Sequence, residues 1–151
     1  ENFAQRIERR INALTGAVMY HLIGQISADA SALARQADAV LASLGKSLQR
    51  GVDELNKATA SWLVSEPREA AACAVPYLWL AGTVTGGWLM CRAAAAATVQ
   101  LGAGGDDASF LQAKRVTALH FARHMLQQAP AMCEAVAHGA ESSLGLHQDQ
   151  F

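Results

Sequence analysis

Apolar residues recur every three or four positions along one long stretch, and this repeat limits the possible folds more than any other feature of the sequence. Between residues 33 and 62 it consists of Leu33, Ala37, Leu41, Leu44, Leu48, Val52, Leu55, Thr59 and Trp62. This spacing places the side chains on one side of an α-helix, as the seam of a helix bundle requires. Alanine is abundant, whereas the β-branched and aromatic residues that strands favour are sparse. We therefore predict an all-α fold.

Four helical tracts are predicted, joined by short connections. The first spans about residues 2–24 and has an apolar stripe made of Phe3, Ile7, Ile11, Leu14, Val18 and Leu22. The second begins at an N-cap, Ser27 or Asp29, and the third runs from Pro67 to about residue 101. The fourth is capped by Asp106 or Asp107 and covers about residues 108–144. Because short connections join antiparallel neighbours, we predict an up-down antiparallel four-helix bundle, with residues 1–151 as a single domain.

Prolines and glycines inside the tracts should bend these long helices. Pro76 and Pro130 fall within the third and fourth tracts, where each removes a backbone hydrogen bond, so both are predicted to cause kinks. Gly45 and Gly51 lie within the second tract, and each weakens a helix by up to about 1 kcal/mol relative to alanine. The second tract is therefore either one continuous helix or a helix that breaks or bends near residue 45.

Charge and cysteine content exclude some classes of function. Twelve basic and thirteen acidic residues give a formal net charge of −1, and no basic cluster forms a stripe. Nucleic-acid binding depends on such clusters, so we expect no nucleic-acid partner. Cys73, Cys91 and Cys133 each lie in an alanine-rich apolar segment without a CxxC motif. We expect reduced core cysteines in a cytoplasmic protein, with a disulfide or zinc site as the alternative.

Residues 70–91 carry no charge, which raises the question of a membrane span. The segment contains Gly82-xxx-Gly86, a spacing also found in transmembrane helices. Its residues are mostly small or aromatic, and a proline and two tryptophans are spread along it. The central helix of a bundle is apolar on all sides for a different reason, because other helices surround it. We predict such a central helix and no transmembrane span.

Candidate catalytic and metal-binding residues are few. His120 and His124 lie four apart on the fourth tract and face the same way, and Glu134 and His138 follow on the same tract. Such a pair can bind a metal, but the Glu-x-x-His pattern of di-metal bundles is missing. The glycine-rich residues 102–105 lack the preceding strand and the lysine of a phosphate-binding loop. We predict no catalytic residue, no cofactor-binding residue and no metal ligand in this chain.

The second half of the sequence resembles a known family. Residues 76–93, PYLWLAGTVTGGWLMCRA, are similar to the signature helix of the acetyl-CoA-dehydrogenase-like C-terminal domain. This domain is found in long bacterial acyl-CoA dehydrogenases, including the methylmercaptopropionyl-CoA dehydrogenase type. The resemblance covers about residues 58–151 and continues through Phe110-Leu111-x-Ala113-Lys114, Phe121-Ala122, Pro130, Gly139-Ala140-Glu141-Ser142 and the closing Asp149-Gln150-Phe151. Since the chain begins with Glu1 and not Met, we also expect it to be a fragment cut from a larger protein.

This resemblance implies a packing role. The family's parent enzyme uses FAD to oxidise an acyl-CoA to a 2-enoyl-CoA, and its catalytic glutamate and FAD groove lie in the preceding dehydrogenase core. The C-terminal helical domain packs on that core, and the parent is expected to be a homodimer. The resemblance thus implies a non-catalytic structural or docking domain, whose packing role falls here on Tyr77, Gly82, Gly86, Trp88, Arg92 and Lys114.

Two other functions stay open, namely a free-standing helical module that binds a protein or a small ligand, and a membrane-associated bundle. Arg92 and Lys114 each interrupt an apolar stripe, so they are the best candidates for fixing the orientation of a docked domain. Trp79 and Trp88 lie nine residues apart on one helix and cannot both face one seam. We expect one of the two tryptophans to lie on the surface that meets the dehydrogenase core of the parent enzyme.

Overall fold

A computed structural model shows that the chain folds into helices. It describes residues 3–104, 107–146 and 148–150, and of these it describes residues 3–5, 7–12 and 148 by their backbone alone. These residues contain no strand. The α-helices are α1 (Phe3–Ala34), α2 (Ala39–Val64), α3 (Pro67–Ala72), α4 (Ala74–Gly102), α5 (Ala108–His124) and α6 (Ala129–Leu144). Short 3-10 turns cover Leu126–Gln128 and Gln148–Gln150. The all-α prediction is confirmed.

The boundary between the first two helices lies later than predicted. The α1 helix continues through Ser27 and Asp29, and Asp38 caps α2 by accepting hydrogen bonds from the backbone N–H groups of Val40 (2.9 Å) and Leu41 (3.0 Å). Ser27 and Asp29 were wrong as caps because the helical repeat of α1 continues past them to buried Leu33.

A second partner holds the Asp38 cap in place. The Arg115 guanidinium donates to both carboxylate oxygens of Asp38, at 3.0 and 2.8 Å, and so ties the start of α2 to α5. The backbone N–H of Leu41 and this guanidinium keep the pKa of Asp38 below its usual value. The cap is thus negatively charged at neutral pH.

Gly45 marks a close approach of α1 and α2, and α2 continues through it without a break. A Cβ at Gly45 would overlap the backbone of Ala34 and lie 2.7 Å from the carbonyl oxygen of Ala30. At the other end of the pair, a Cβ at Gly16 would lie 3.0 Å from a methyl group of Leu63. These contacts make α1 and α2 antiparallel neighbours.

Both internal prolines start new helices. Pro76 is the third residue of α4, which follows the end of α3 at Cys73, and Pro130 is the second residue of α6, which follows the 3-10 turn at 126–128. In a first turn the missing N–H of proline costs no hydrogen bond. The predicted third and fourth tracts are therefore each divided into two helices. Their outer boundaries agree with the prediction at Pro67, Asp107 and Leu144, and α4 ends at Gly102, one residue after the predicted end at about residue 101. Asp106 lies outside the described residues.

Of the apolar stripe predicted on the first tract, only Leu22 packs against the core among the side chains that are described, and it is half-buried. Leu14 and Val18 are exposed, and the buried side of α1 consists of Gly16, Ile23, Ile26, Ala30 and Leu33. The contacts of Gly16 and Ala30 with α2 decide which side turns inward. The side chains of Phe3, Ile7 and Ile11 lie outside the described residues.

The core lies between α2, α4 and the helices packed on them. Of the repeat predicted for the second tract, the residues from Leu41 to Thr59 are buried on α2 and Trp62 is half-buried there. Leu33 is instead buried on α1, and Ala37 is exposed between the two helices. On α4 one side is buried, made of Tyr77, Leu80, Val84, Gly87, Cys91, Ala94 and Ala97. The uncharged sequence predicted a central helix that other helices surround on all sides. That prediction is wrong, because only one side of α4 is buried within the described chain. Over the described residues, none of the helices combines the length and the apolar content needed to cross a membrane.

Candidate docking surface

One side of α4 presents apolar side chains that no other described part of the chain covers. Val75, Leu78 and Leu89 are 59%, 69% and 55% exposed. Gly82, Ala93 and Ala96 are exposed as well, and Thr85 is half-buried. We call this set the α4 outer face, and it comprises Val75, Leu78, Gly82, Thr85, Leu89, Ala93 and Ala96. Its spacing of three and four residues is that of a seam between two helices.

Trp79 extends this apolar surface. Its side chain is 65% exposed, next in sequence to Leu78. Contiguous apolar exposure of this kind is typical of sites where another protein surface binds. Trp79 is thus the tryptophan of the predicted pair that lies on the surface. The sequence identified neither Val75, Leu78 nor Leu89, because a segment that is apolar on all sides does not reveal which side faces outward.

Tyr77 and Trp88, two of the predicted packing residues, are engaged inside the chain. The Tyr77 hydroxyl lies 2.9 Å from the Thr59 hydroxyl, and its ring stacks on Trp62 with the centroids 4.8 Å apart. Burial raises the pKa of Tyr77 above its usual value. The indole N–H of Trp88 donates to Asp29 at 2.6 Å. These contacts fix α4 against α2 and α1.

The two predicted packing glycines have different surroundings. Gly86 faces α5, and a Cβ there would lie 3.3 Å from the Phe121 ring. Gly82 faces open space, with no atom within 4 Å of the position that a Cβ would occupy. Gly86 therefore serves packing inside the chain, whereas no described contact within the chain explains Gly82.

The two predicted cationic residues are exposed and lie on aromatic rings. The Arg92 guanidinium is 5.3 Å from the centroid of the Trp88 ring, and the Lys114 ammonium is 4.9 Å from that of Phe110. Among the described residues neither cation has a carboxylate partner, so both charges are available to a partner outside the chain. Arg92 adjoins the α4 outer face, whereas Lys114 lies on α5. The six predicted residues do not form one patch.

The histidines do not assemble into a metal centre in the part of the chain that the structure describes. The rings of His120 and His124 are 4.3 Å apart and exposed, and His138 lies 3.8 Å from Glu134 on the surface. No three described His, Cys, Asp or Glu side chains are placed to hold a metal ion.

Two pockets of the described surface are open to solvent and carry several charged side chains. The pocket between α2 and the start of α6 has a volume of about 340 Å³ and is lined by Arg50, Asp53, Glu54 and Lys57 among others. A groove of about 490 Å³ between α1 and α2 is lined by three cations, Arg35, Lys46 and Arg50. Cofactor sites are mostly apolar and enclosed, so the charged residues of these two pockets do not fit a flavin.

The cysteine thiols are not poised for reaction. Cys73, Cys91 and Cys133 are buried and free. Burial raises the pKa of Cys91 to about 12 and that of Cys133 to about 11. A thiol that stays protonated is a poor nucleophile, so Cys91 and Cys133 act as small side chains that fill the core.

The chain also resembles known proteins. Residues 21–147 match the family described as acetyl-CoA dehydrogenase C-terminal like. This match begins earlier in the chain than the resemblance seen in the sequence, which covers about residues 58–151. The chain is 36% identical over 121 residues to 3-methylmercaptopropionyl-CoA dehydrogenase of Ruegeria pomeroyi. The aligned residues make up 80% of the chain and 20% of that protein. The chain thus spans about a fifth of the length of this relative. No solved structure matches it. The chain belongs to the family of acetyl-CoA dehydrogenase C-terminal-like domains.

Proposed function

We propose that the chain is the non-catalytic C-terminal structural and docking domain of an FAD-dependent acyl-CoA dehydrogenase, whose parent oxidises an acyl-CoA to a 2-enoyl-CoA. Two findings support this proposal. The matching family is described as acetyl-CoA dehydrogenase C-terminal like, and the relative is a dehydrogenase about five times the length of the matched region. The FAD and the catalytic glutamate belong, in this proposal, to the dehydrogenase core that precedes the domain.

The observation that carries the docking role is the α4 outer face. Its exposed Val75, Leu78 and Leu89 lie on one side of a single helix, and Trp79 adds a large exposed ring beside them. Apolar surface is driven out of water, and a partner that covers it gains roughly 25 cal/mol for each Å² removed from solvent. A surface of this kind suits a fixed neighbour in the same parent chain.

The six predicted residues divide between two roles in this proposal. Tyr77, Gly86 and Trp88 shape the domain itself, since each contacts another helix of the chain. Gly82, Arg92 and Lys114 are proposed to meet the core, because Gly82 faces open space and both cations lack a described carboxylate partner.

Further features of the proposal follow the family. Residues 1–151 form one domain, with α3–α4 and α5–α6 as two interrupted columns of an up-down four-helix arrangement. The antiparallel contacts of α2 with α1 and α4 support this arrangement. The resemblance to the family is the basis for proposing that the parent is a homodimer. Free buried cysteines agree with a cytoplasmic location, and a net charge of −1 agrees with a domain that has no nucleic-acid partner.

The test compares the longer reading frame that contains these residues with residues 1–151 alone. We expect the longer chain to purify with bound flavin and to reduce an electron-accepting dye when given an acyl-CoA. Residues 1–151 should show neither property, because the FAD site and the catalytic glutamate lie, in this proposal, in the preceding dehydrogenase core. Thioester oxidation or stoichiometric flavin in the 151-residue chain would contradict the proposal, and so would a longer chain without flavin.

A further inference from the structure

Gly82 is an exposed glycine in the middle of a long helix. It lies in the α4 outer face, with Leu78 one turn before it and Leu89 two turns after it. Glycine at such a position destabilises a helix relative to alanine, because the unfolded backbone is freer and no side chain packs. A reason inside the fold would be a neighbour that excludes a Cβ. None exists among the described residues, since no atom lies within 4 Å of the Cβ position.

Other glycines of the core helices do have an internal reason. A Cβ at Gly87 would lie 2.8 Å from Leu126, one at Gly51 would lie 3.2 Å from the same side chain, and one at Gly86 would touch Phe121. Gly24 of α1 is open, like Gly82. Its neighbours one turn away are Tyr20 and Ala28, so it does not interrupt an exposed row of branched side chains.

We propose that Gly82 is the point where a helix of the dehydrogenase core crosses α4 at close range, with the side chains of Leu78 and Leu89 packed on either side of it. This inference rests on the proposed function, since it names the part of the parent that covers the α4 outer face. A glycine at a crossing lets two helix backbones come closer than their side chains would otherwise allow, and Gly45 does the same between α1 and α2.

Three observations indicate which part of the parent covers the α4 outer face. The residues of the face follow one another at intervals of three or four, as they do where two helices pack together. The partner element should therefore be a helix with its own apolar stripe. The relative is five times as long as the region matched, so the parent has ample chain outside this domain to supply it. The face itself is uncharged, but Arg92 adjoins it and has no described carboxylate partner, so the core helix should offer an acidic residue there.

Thiol labelling tests this inference in the longer chain. Gly82→Cys places a thiol at the proposed crossing, and Gly24→Cys and Gly102→Cys place one at two other exposed helical glycines with open surroundings. Cys73, Cys91 and Cys133 are buried and should react slowly, and the unsubstituted longer chain, labelled in parallel, gives the background from any further cysteines. Labelling with a maleimide should be at least about tenfold slower at 82 than at 24 or 102, since it requires the interface to open.

The same variants in residues 1–151 supply the comparison. There we expect position 82 to react as fast as positions 24 and 102, at a rate that does not depend on protein concentration. Slow labelling at 82 that quickens on dilution would show that a second copy of the chain covers the face, and would overturn the assignment to the core. Equally fast labelling at all three positions of the longer chain would overturn it as well.

A steric variant adds a second measurement. Gly82→Leu in the longer chain should expose Trp79 to a fluorescence quencher and increase proteolytic release of the domain, whereas Gly24→Leu should do neither. Unchanged quenching and proteolysis in Gly82→Leu would count against the crossing.

The two proposals can fail separately. A longer chain that binds flavin but labels rapidly at position 82 would contradict only the crossing at Gly82. A longer chain that lacks flavin and acyl-CoA oxidation would contradict the proposed function itself.

Discussion

At the scale of single residues, the contact between Thr59 and Tyr77 decides how α4 sits on α2. The Thr59 hydroxyl donates to the carbonyl of Leu55 at 2.7 Å and lies 2.9 Å from the Tyr77 hydroxyl. Because the threonine proton is used for Leu55, Tyr77 must be the donor in the second bond. Both side chains are buried, so neither hydroxyl can exchange its partner for water.

This direction of donation predicts an asymmetry between two substitutions. Tyr77→Phe removes one bond while Thr59 keeps its carbonyl partner, and should cost about 1 kcal/mol of unfolding free energy. Thr59→Val leaves the Tyr77 hydroxyl buried without an acceptor, and should cost about 2–3 kcal/mol. Urea unfolding of the two variants measures the difference. Equal losses, or a larger loss for Tyr77→Phe, would contradict the assignment.

At the scale of elements, glycines control how closely the helices approach. Gly45 lets α2 approach the backbone of α1 at Ala30 and Ala34, where a Cβ would find no room. The atoms in the way belong to the backbone and cannot rotate aside. The position of α1 on α2 is therefore determined more by this missing side chain than by the apolar stripe of Leu14 and Val18.

Two alanine substitutions separate this close approach from helix propensity. Gly45→Ala should lower the free energy of unfolding by about 3 kcal/mol, at the upper end of typical overpacking costs, because α1 must shift. Gly24→Ala is the matched control, since it lies mid-helix with open surroundings, and it should raise that free energy by about 0.5–1 kcal/mol. Thermal or urea unfolding distinguishes the two signs. A stabilised Gly45→Ala variant would contradict the close approach.

At the scale of the whole molecule, the buried cysteines connect the stability of the core to pH. Burial raises the pKa of Cys91 and of Cys133 from the ordinary 9.0 to about 12 and about 11. In the unfolded chain these thiols lose their protons near the ordinary value. Their contribution to stability is therefore fully present below pH 9 and is lost as the pH rises towards 11 and 12.

We therefore expect the free energy of unfolding to fall as the pH rises above 9, and to fall less steeply in a Cys91→Ala Cys133→Ala variant. Tyr77 contributes to both proteins equally, so the difference between the two curves isolates the thiols. Denaturant midpoints between pH 8 and 11 give this comparison. Parallel curves would show that burial does not hold these thiols protonated.

The sequence by itself determined the helical class, the buried repeat of α2 and the helix boundaries at Pro67, Asp107 and Leu144, and it placed the end of α4 within one residue of Gly102. These features are local, because spacing, caps and first-turn prolines act within a few residues. It also revealed the family, through residues 76–93 and the motifs that follow. Ser27 and Asp29 failed as caps because good capping residues also occur inside helices.

The tertiary structure alone decided which sides of α1 and α4 face outward. The uncharged segment of α4 and the stripe of α1 looked buried from their sequence, yet Leu78, Leu89, Leu14 and Val18 are exposed. The physical reason is that burial depends on which neighbour approaches each side, and that depends on contacts between residues far apart in sequence. Gly45 against Ala30 turns α1, and the bonds from Tyr77 and Trp88 turn α4, so that the α4 outer face is left for a partner.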